Sequence, residues 1–210
     1  MKHDSKPNLA EYQDQLRRFF ERFTLIEPKD LYQLVPYLEI REYGKKEILL
    51  AEGAVEDYLN LVVKGMLRKY IVAGKKETTL QLATEGHLIQ SETSFHTRLP
   101  SEVIIESIEP SIVICINAEN TQKAFATMDN AEHITRLMIG YMYLKKDARL
   151  VNQLKLSTRQ RFLKYIDEHP HMLQRVPQRI LASYLNIKPE TFSRLKHLVV
   201  RRSSKVAAKD

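Results

Sequence analysis

The segment 177–198, PQRILASYLNIKPETFSRLKHL, leaves a chain little freedom in how it folds. Counted from Gln178, Leu181 and Ala182 are fourth and fifth, Leu185, Asn186 and Ile187 eighth to tenth, Phe192 fifteenth and Leu195 eighteenth. That order predicts a short positioning helix, a tight turn, and a second helix able to lie in a DNA major groove. Each position has a physical reason. Ala182 is small where two helices must cross closely, and Asn186 stands where the turn needs a left-handed backbone, which Asn tolerates better than most residues. Leu181, Leu185, Ile187, Phe192 and Leu195 close the apolar seam, and Thr191, Ser193, Arg194 and His197 are left for the outer face. The alternative is an ordinary helical hairpin, which seven residues in one register disfavour.

Charge is distributed to match. The 210 residues carry a net +7, yet residues 145–210 hold 16 Lys/Arg against 5 Asp/Glu, while residues 1–144 hold 17 against 21. Phosphate neutralisation dominates non-specific DNA affinity, so a basic third coinciding with the helix pair supports double-stranded DNA as a partner. Hydrophobic content of 43% with 28% charged residues describes a soluble globular protein. The longest apolar runs, such as IVICI at 112–116, are too short to cross a bilayer, so no membrane association is expected. The N-terminal MKHDSKPNLAEYQ lacks the apolar core of a secretory signal, and a cytoplasmic location is the expectation. The single cysteine, Cys115, makes no internal disulfide and no four-cysteine cluster.

Upstream the texture changes twice. Tyr12, Leu16, Phe19, Phe20 and Phe23 recur at helical spacing within 8–36. From about 38 to 116 short apolar or alternating runs are punctuated by Gly44, Gly53, Gly65, Gly74 and Gly86, the pattern of an antiparallel β-roll or sandwich with glycine turns. These glycines form no clustered phosphate-binding signature. After Asn117 the pattern is helical, and Ile134, Leu137, Tyr141, Leu144, Ala148 and Val151 are spaced 3, 4, 3, 4 and 3 apart. That heptad seam predicts a long helix that packs on its own β-domain and on a second copy; the alternative is a monomeric helix bridging two domains. Ser157 is a candidate N-cap for the next helix and Pro170 follows its end, which puts a domain boundary near 154–157.

A β-roll, a long helix and a basic helix-turn-helix, in that order over nearly the whole chain, resemble the Crp–Fnr superfamily of bacterial transcription regulators, most specifically in ETFSR at 190–194 and the glycine-punctuated strands ending at Gly86. The resemblance implies an α+β fold in three parts: helices and a cyclic-nucleotide-binding-like antiparallel β-roll over 1–128, a dimerisation helix over 129–155, and a helix-turn-helix domain with a basic tail over 156–210. It implies a homodimer on an inverted-repeat operator, RNA polymerase as a further partner, no enzymatic activity and no resident cofactor. The recognition helix is expected over about Pro189–Val199, with Glu190 and Arg194 reaching base edges and Ser193 and His197 on the same face. Lys188 and Thr191 are expected at phosphates, with Arg179, Lys196, Arg201 and Arg202 adding positioning contacts. The family's β-hairpin wing has no counterpart in VVRRSSKVAAKD, which reads as a short mobile tail.

The effector cassette departs from the family. Cyclic-nucleotide-binding relatives hold the ribose with Gly-Glu and the cyclic phosphate with Arg-Ser or Arg-Thr; the register fixed by 101–116 puts Gln90 and Ser91 in the first place and Ser101 and Glu102 in the second. The cationic anchor is missing and Glu102 opposes a phosphate, with Arg98 the one nearby substitute. Cyclic-nucleotide binding is therefore not expected, and the effector is left unassigned; a cyclic-nucleotide-responsive regulator is the rival reading. A rival of another class is a metal-dependent β-barrel enzyme using His87, Glu92 and His96. The paired histidines of such barrels are absent from the β-region, and the only His-x-His, His169 and His171, falls in an interhelical loop, so no metal site is expected.

Overall fold

The computed structural model describes residues 9–24, 27–128 and 130–206, with side chains through His197. It divides into two compact units, one of Met1–Val72 with Leu80–Met142 and one of Ala73–Thr79 with Tyr143–Asp210. The division falls inside a helix rather than at 154–157.

The first unit is a β-roll covered by helices. The strands are β1 (Glu39–Tyr43), β2 (Ile48–Leu50), β3 (Tyr58–Lys64), β4 (Leu67–Ala73), β5 (Lys76–Ala83), β6 (Leu88–Ile89), β7 (Ile104–Ser107) and β8 (Ser111–Asn117), with the Ala73–Thr79 stretch of β4 and β5 belonging to the second unit. They form two antiparallel sheets, in the orders β1-β8-β3-β6 and β2-β7-β4-β5. Register decides which core each residue joins. β3 pairs with β8 so that Leu61 faces Ile114 and Val62 faces Val113. With side chains alternating, Val62, Val113 and Cys115 join Leu67, Ile89 and Ile105 between the sheets, while Leu61, Val63 and Ile114 turn outward. Gly65 makes the β3–β4 turn possible: its φ is +88°, and a Cβ there would lie 2.5 Å from the Pro110 carbonyl oxygen.

A short α3 (Glu92–Thr97) follows β6, and the outward face is covered by α1 (Gln13–Phe20), α2 (Pro28–Leu34), α4 (Ala118–Thr127) and the start of α5 (Ala131–Lys155). Leu16, Phe19 and Phe20 form the buried stripe of α1, and Phe19 meets both Phe20 and Phe23 edge-on. Pro28 begins α2, where its missing N–H has no partner to lose. Asn117 caps α4, its side chain accepting from the Asn120 amide at 2.7 Å. Between this helical layer and the sheet lies an apolar cavity of about 110 Å³. Leaving that volume out of the packing costs about 2–3 kcal/mol at the penalty measured for core cavities.

Two expectations change here. Ile134, assigned by spacing to an intermolecular seam, is 4% exposed within its own unit, and Tyr141 is half-buried with its ring edge-on to Phe23. The apolar residues of α5 that do face solvent include Leu144, Val151 and Leu154, with Gly140 exposed among them. Leu137 is half-buried and Ala148 exposed. The reason is that apolar residues recur on more than one side of α5, between its charged ones, so spacing alone could not say which stripe the β-roll would take. Among the described residues no helix is long and apolar enough to cross a membrane.

Cys115 is 1% exposed, and burial pushes its thiol pKa up to about 12, against a smaller opposing pull from Arg41. A thiol reagent at pH 8 should therefore label the native protein about a thousandfold more slowly than a free cysteine, with full labelling on unfolding in guanidinium. Free-thiol rates in the native state would contradict this burial.

Candidate nucleic-acid interface

The second unit contains α6 (Thr158–Glu168), α7 (Met172–Arg175), α8 (Gln178–Tyr184) and α9 (Pro189–Val206), besides the end of α5. Ser157 caps α6 with a full capping box: its hydroxyl accepts from the Gln160 amide, and its own N–H donates to Gln160 Oε1 at 2.9 Å. Phe162 and Phe192, both almost fully buried, meet edge-on at 5.2 Å and hold α6 against α9. Ala182 has no exposed surface, and Leu181, Leu185, Ile187 and Leu195 are buried around it. Asn186 turns the chain with φ +53°. The Ile187 amide then donates back to the Ala182 carbonyl, the closing bond of the turn between α8 and α9.

This core leaves one face of α9 outward. Glu190, Ser193, Arg194 and His197 are exposed, and Thr191 is half-buried. The Arg194 guanidinium donates to Thr191 Oγ1 at 3.4 Å. Arg179 and Lys188 are exposed and Lys196 is half-buried. The side chains of Arg201 and Arg202 lie outside the described residues. The backbone there corrects one expectation: helix continues to Val206, so α9 is 18 residues long and what read as a loose tail after Val199 is largely its C-terminal half. Among the described residues no strand follows α9, as the sequence implied.

Not all of the basic charge faces outward. Arg149 is buried for the most part, which lowers its pKa, and it donates to the Tyr184 carbonyl at 2.8 Å while stacking 4.1 Å over the Tyr184 ring. Arg161 donates to the Gln153 and Leu156 carbonyls, tying down the last turn of α5. Ser183 on α8 accepts from the Thr79 amide at 2.9 Å and donates to the Glu77 carbonyl. Sequence reasoning missed these three. Arg149 and Arg161 look like any surface cation, and the partner of Ser183 is a hundred residues away.

Neither a protein-family model nor any curated protein sequence matches the chain. Solved structures do. FixK2 from Bradyrhizobium japonicum superposes with a TM-score of 0.64 at 16% identity, over 79% of this chain and 86% of that one. A Crp/Fnr-family transcriptional regulator from Eubacterium rectale gives 0.63 at 15%, over 88% of each. The Thermus thermophilus catabolite activator protein gives 0.54 at 18%, over 86% and 87%. The chain has the fold of the Crp/Fnr regulators.

Within that fold, the cassette at 90–102 is closed on itself. Glu102 is exposed, so it is not the carboxylate that occupies the site. Glu56 is: its two oxygens accept from the Tyr58 and Ser91 amides, both at 3.1 Å. Burial raises the Glu56 pKa, and those amides pull it back down. Ser101 Oγ lies 3.0 Å from Ser91 Oγ. Arg98, left-handed at φ +61°, donates to the Glu56 carbonyl and to Asp57. A cation does reach the cassette, which the sequence did not reveal. Lys69 is buried, with its ammonium 2.6 Å from Glu92 and 2.8 Å from the Gln90 carbonyl. Gln90 is itself buried, its Oε1 without a hydrogen-bond partner. Of the metal rival's residues, Glu92 thus pairs with Lys69, and the His87 ring lies 3.2 Å from Thr84 Oγ1. His169 and His171 sit side by side, their ring centroids 6.4 Å apart. Among the described residues no three His, Cys, Asp or Glu side chains gather in a metal-binding group.

The left-handed turn is open to a direct check. Asn186→Gly should leave stability within about 0.5 kcal/mol, because glycine has no β-carbon to strain, whereas Asn186→Ala should lower it by about 1 kcal/mol in urea unfolding, because alanine keeps the β-carbon and loses the polar side chain that makes the left-handed turn tolerable in Asn. Equal losses would mean that Asn186 acts through its amide rather than its backbone.

Proposed function

We propose that this protein is a sequence-specific DNA-binding transcription regulator, acting as a homodimer on an inverted-repeat operator and not responding to cyclic nucleotides. The observation that carries the reading is the outward face of α9, where Glu190, Ser193, Arg194 and His197 stand on a helix braced from behind by buried Phe192 and Leu195. Arg194 has the fork that matches guanine O6 and N7, and the Glu190 carboxylate can accept from cytosine N4. Arg179, Lys188, Thr191 and Lys196 would hold phosphates, with Arg201 and Arg202 further along α9. The family resemblance adds RNA polymerase as a partner, a cytoplasmic location and no catalytic role.

A second copy is supported by the solvent-facing apolar side of α5. Leu144 is 66% exposed and Leu154 80%, with Val151 between them. A two-fold axis along that face would present two recognition helices to major grooves about 34 Å apart. Gly140, which costs about 1 kcal/mol relative to alanine inside a helix, lies on the same side and would let two backbones approach. Against cyclic nucleotides stand the carboxylate of Glu56 in the cassette and the commitment of Lys69 to Glu92. A phosphate monoanion would meet one buried negative charge and no free positive one.

Arg194→Ala should weaken binding to the selected operator by about 1–3 kcal/mol and leave random-sequence binding nearly unchanged, read by fluorescence anisotropy at fixed salt. Equal losses on both DNAs would make Arg194 a phosphate contact. In sedimentation equilibrium, Leu144→Glu with Leu154→Glu should yield monomers that unfold normally and bind a half-site as well as a full operator. A persistent dimer would move the interface elsewhere.

A further inference from the structure

The cavity of the first unit lies apart from the cassette, on the opposite side of the β1-β8-β3-β6 sheet. Its floor is Leu61 and Ile114 of the sheet, and its walls come from Leu16 and Phe20 of α1, Ala124 of α4 and Ile134 of α5. Thr135, Met138 and Phe125 are its more exposed lining; Phe125 is 38% exposed. Among the described residues no charged one lines it. Of its polar groups, the Thr121 hydroxyl donates to the Asn117 carbonyl at 2.8 Å and Thr135 lies at the more exposed edge, while the Cys115 side chain belongs to the core on the other side of the sheet. A water molecule needs two to four polar partners to remain in such a place, and a charged ligand would lose its hydration with nothing in return. Hydrocarbon surface alone is welcome there. A cavity of about 110 Å³ is somewhat smaller than the roughly 150 Å³ protein cavity known to bind benzene, and its exposed edge leaves room for a ring to project.

We infer that this cavity is a binding site for a small, uncharged, apolar molecule of about one aromatic ring, and that its occupancy acts on α5. Four lining residues, Ala131, Ile134, Thr135 and Met138, belong to the first two turns of that helix. A displacement of α5 therefore changes the shape of the site, and a ligand that fits one arrangement better than another shifts the balance between them. The coupling to DNA rests on the regulator reading above; the binding itself does not.

The test is calorimetric titration of the full chain with benzene, beside its charged analogue benzoate. Saturable binding of benzene and none of benzoate is expected, together with a melting temperature that rises with benzene concentration. Ala124→Leu, which fills the cavity from α4, should abolish binding. Thr135→Phe, at the more exposed lining, should weaken binding by about tenfold or more, and it provides a second route if the α4 variant fails to fold. Benzene that does not bind, binds both variants as it binds the natural chain, or binds no better than benzoate overturns the site. Benzene bound at the site should also change operator affinity at least about threefold, and binding without any such change overturns the action on α5. If no operator is found at all, benzene binding stands or falls unaffected, and coupling is then read from the dimer dissociation constant.

Discussion

Helix α5 gathers neither its apolar nor its charged residues on one side, and much of the chain's organisation follows from that. At about 100° per residue, Ala131, Ile134 and Met138 fall on one side and Gly140, Val151 and Leu154 on nearly the opposite one. The first set is in the lining or core of the β-roll unit, and the second is in solvent. An ordinary surface helix presents one apolar stripe and its role ends in the core. Here each of Leu144, Val151 and Leu154 would contribute about 1.5–3 kcal/mol if fully buried, far more than exposed charges on the same helix could supply. Covering that side would therefore gain free energy, independently of any argument from DNA symmetry.

Inside the β-roll the controlling effect is desolvation. Arg68 pairs with Glu106 at 2.9 Å under an almost closed surface, Lys69 with Glu92, and Glu56 with a set of backbone amides. Removing one partner of such a pair costs about 3–5 kcal/mol, because the other charge stays buried and alone. These groups are consequently committed to one another. A phosphate entering the cassette would have to break contacts worth as much as those it made. The net positive charge lies in the second unit, and even there Arg149 and Arg161 are tied to carbonyl groups, leaving a smaller exposed set to neutralise phosphates.

What was legible in the sequence was local. The helix-turn-helix rests on contacts within about twenty residues, so Ala182, Asn186 and Phe192 could be assigned from spacing, and the structure places them in the crossing, the left-handed turn and the core. The capping box at Ser157 was half visible, since the hydroxyl was recognised but its return partner Gln160 was not. Non-local facts were hidden. Glu56 meets Ser91 across 35 residues, and no pattern around either one announces the contact. The stripe of α5 that its own β-roll covers was not legible from spacing, because apolar residues recur on more than one side of that helix. The cavity is less legible still: it is a mismatch of volumes among α1, α4, α5 and a sheet, and no residue in its lining is unusual alone.

The closed cassette and the apolar cavity are linked by a single physical requirement. A regulator of this fold can respond only to a molecule with different affinities for two arrangements of the chain. In a polar pocket that difference comes from directed hydrogen bonds, which the network around Glu56 has already satisfied internally. In the cavity it can come from packing alone. Dispersion contacts fall off so steeply that a gap of 0.5–1 Å forfeits about a quarter to a half of each one. Walls drawn from α1, α4, α5 and a rigid sheet would therefore discriminate between positions of α5 that differ by less than an ångström. Selectivity for size and for lack of charge follows from the same walls, since nothing polar in them can compensate a ligand for lost water.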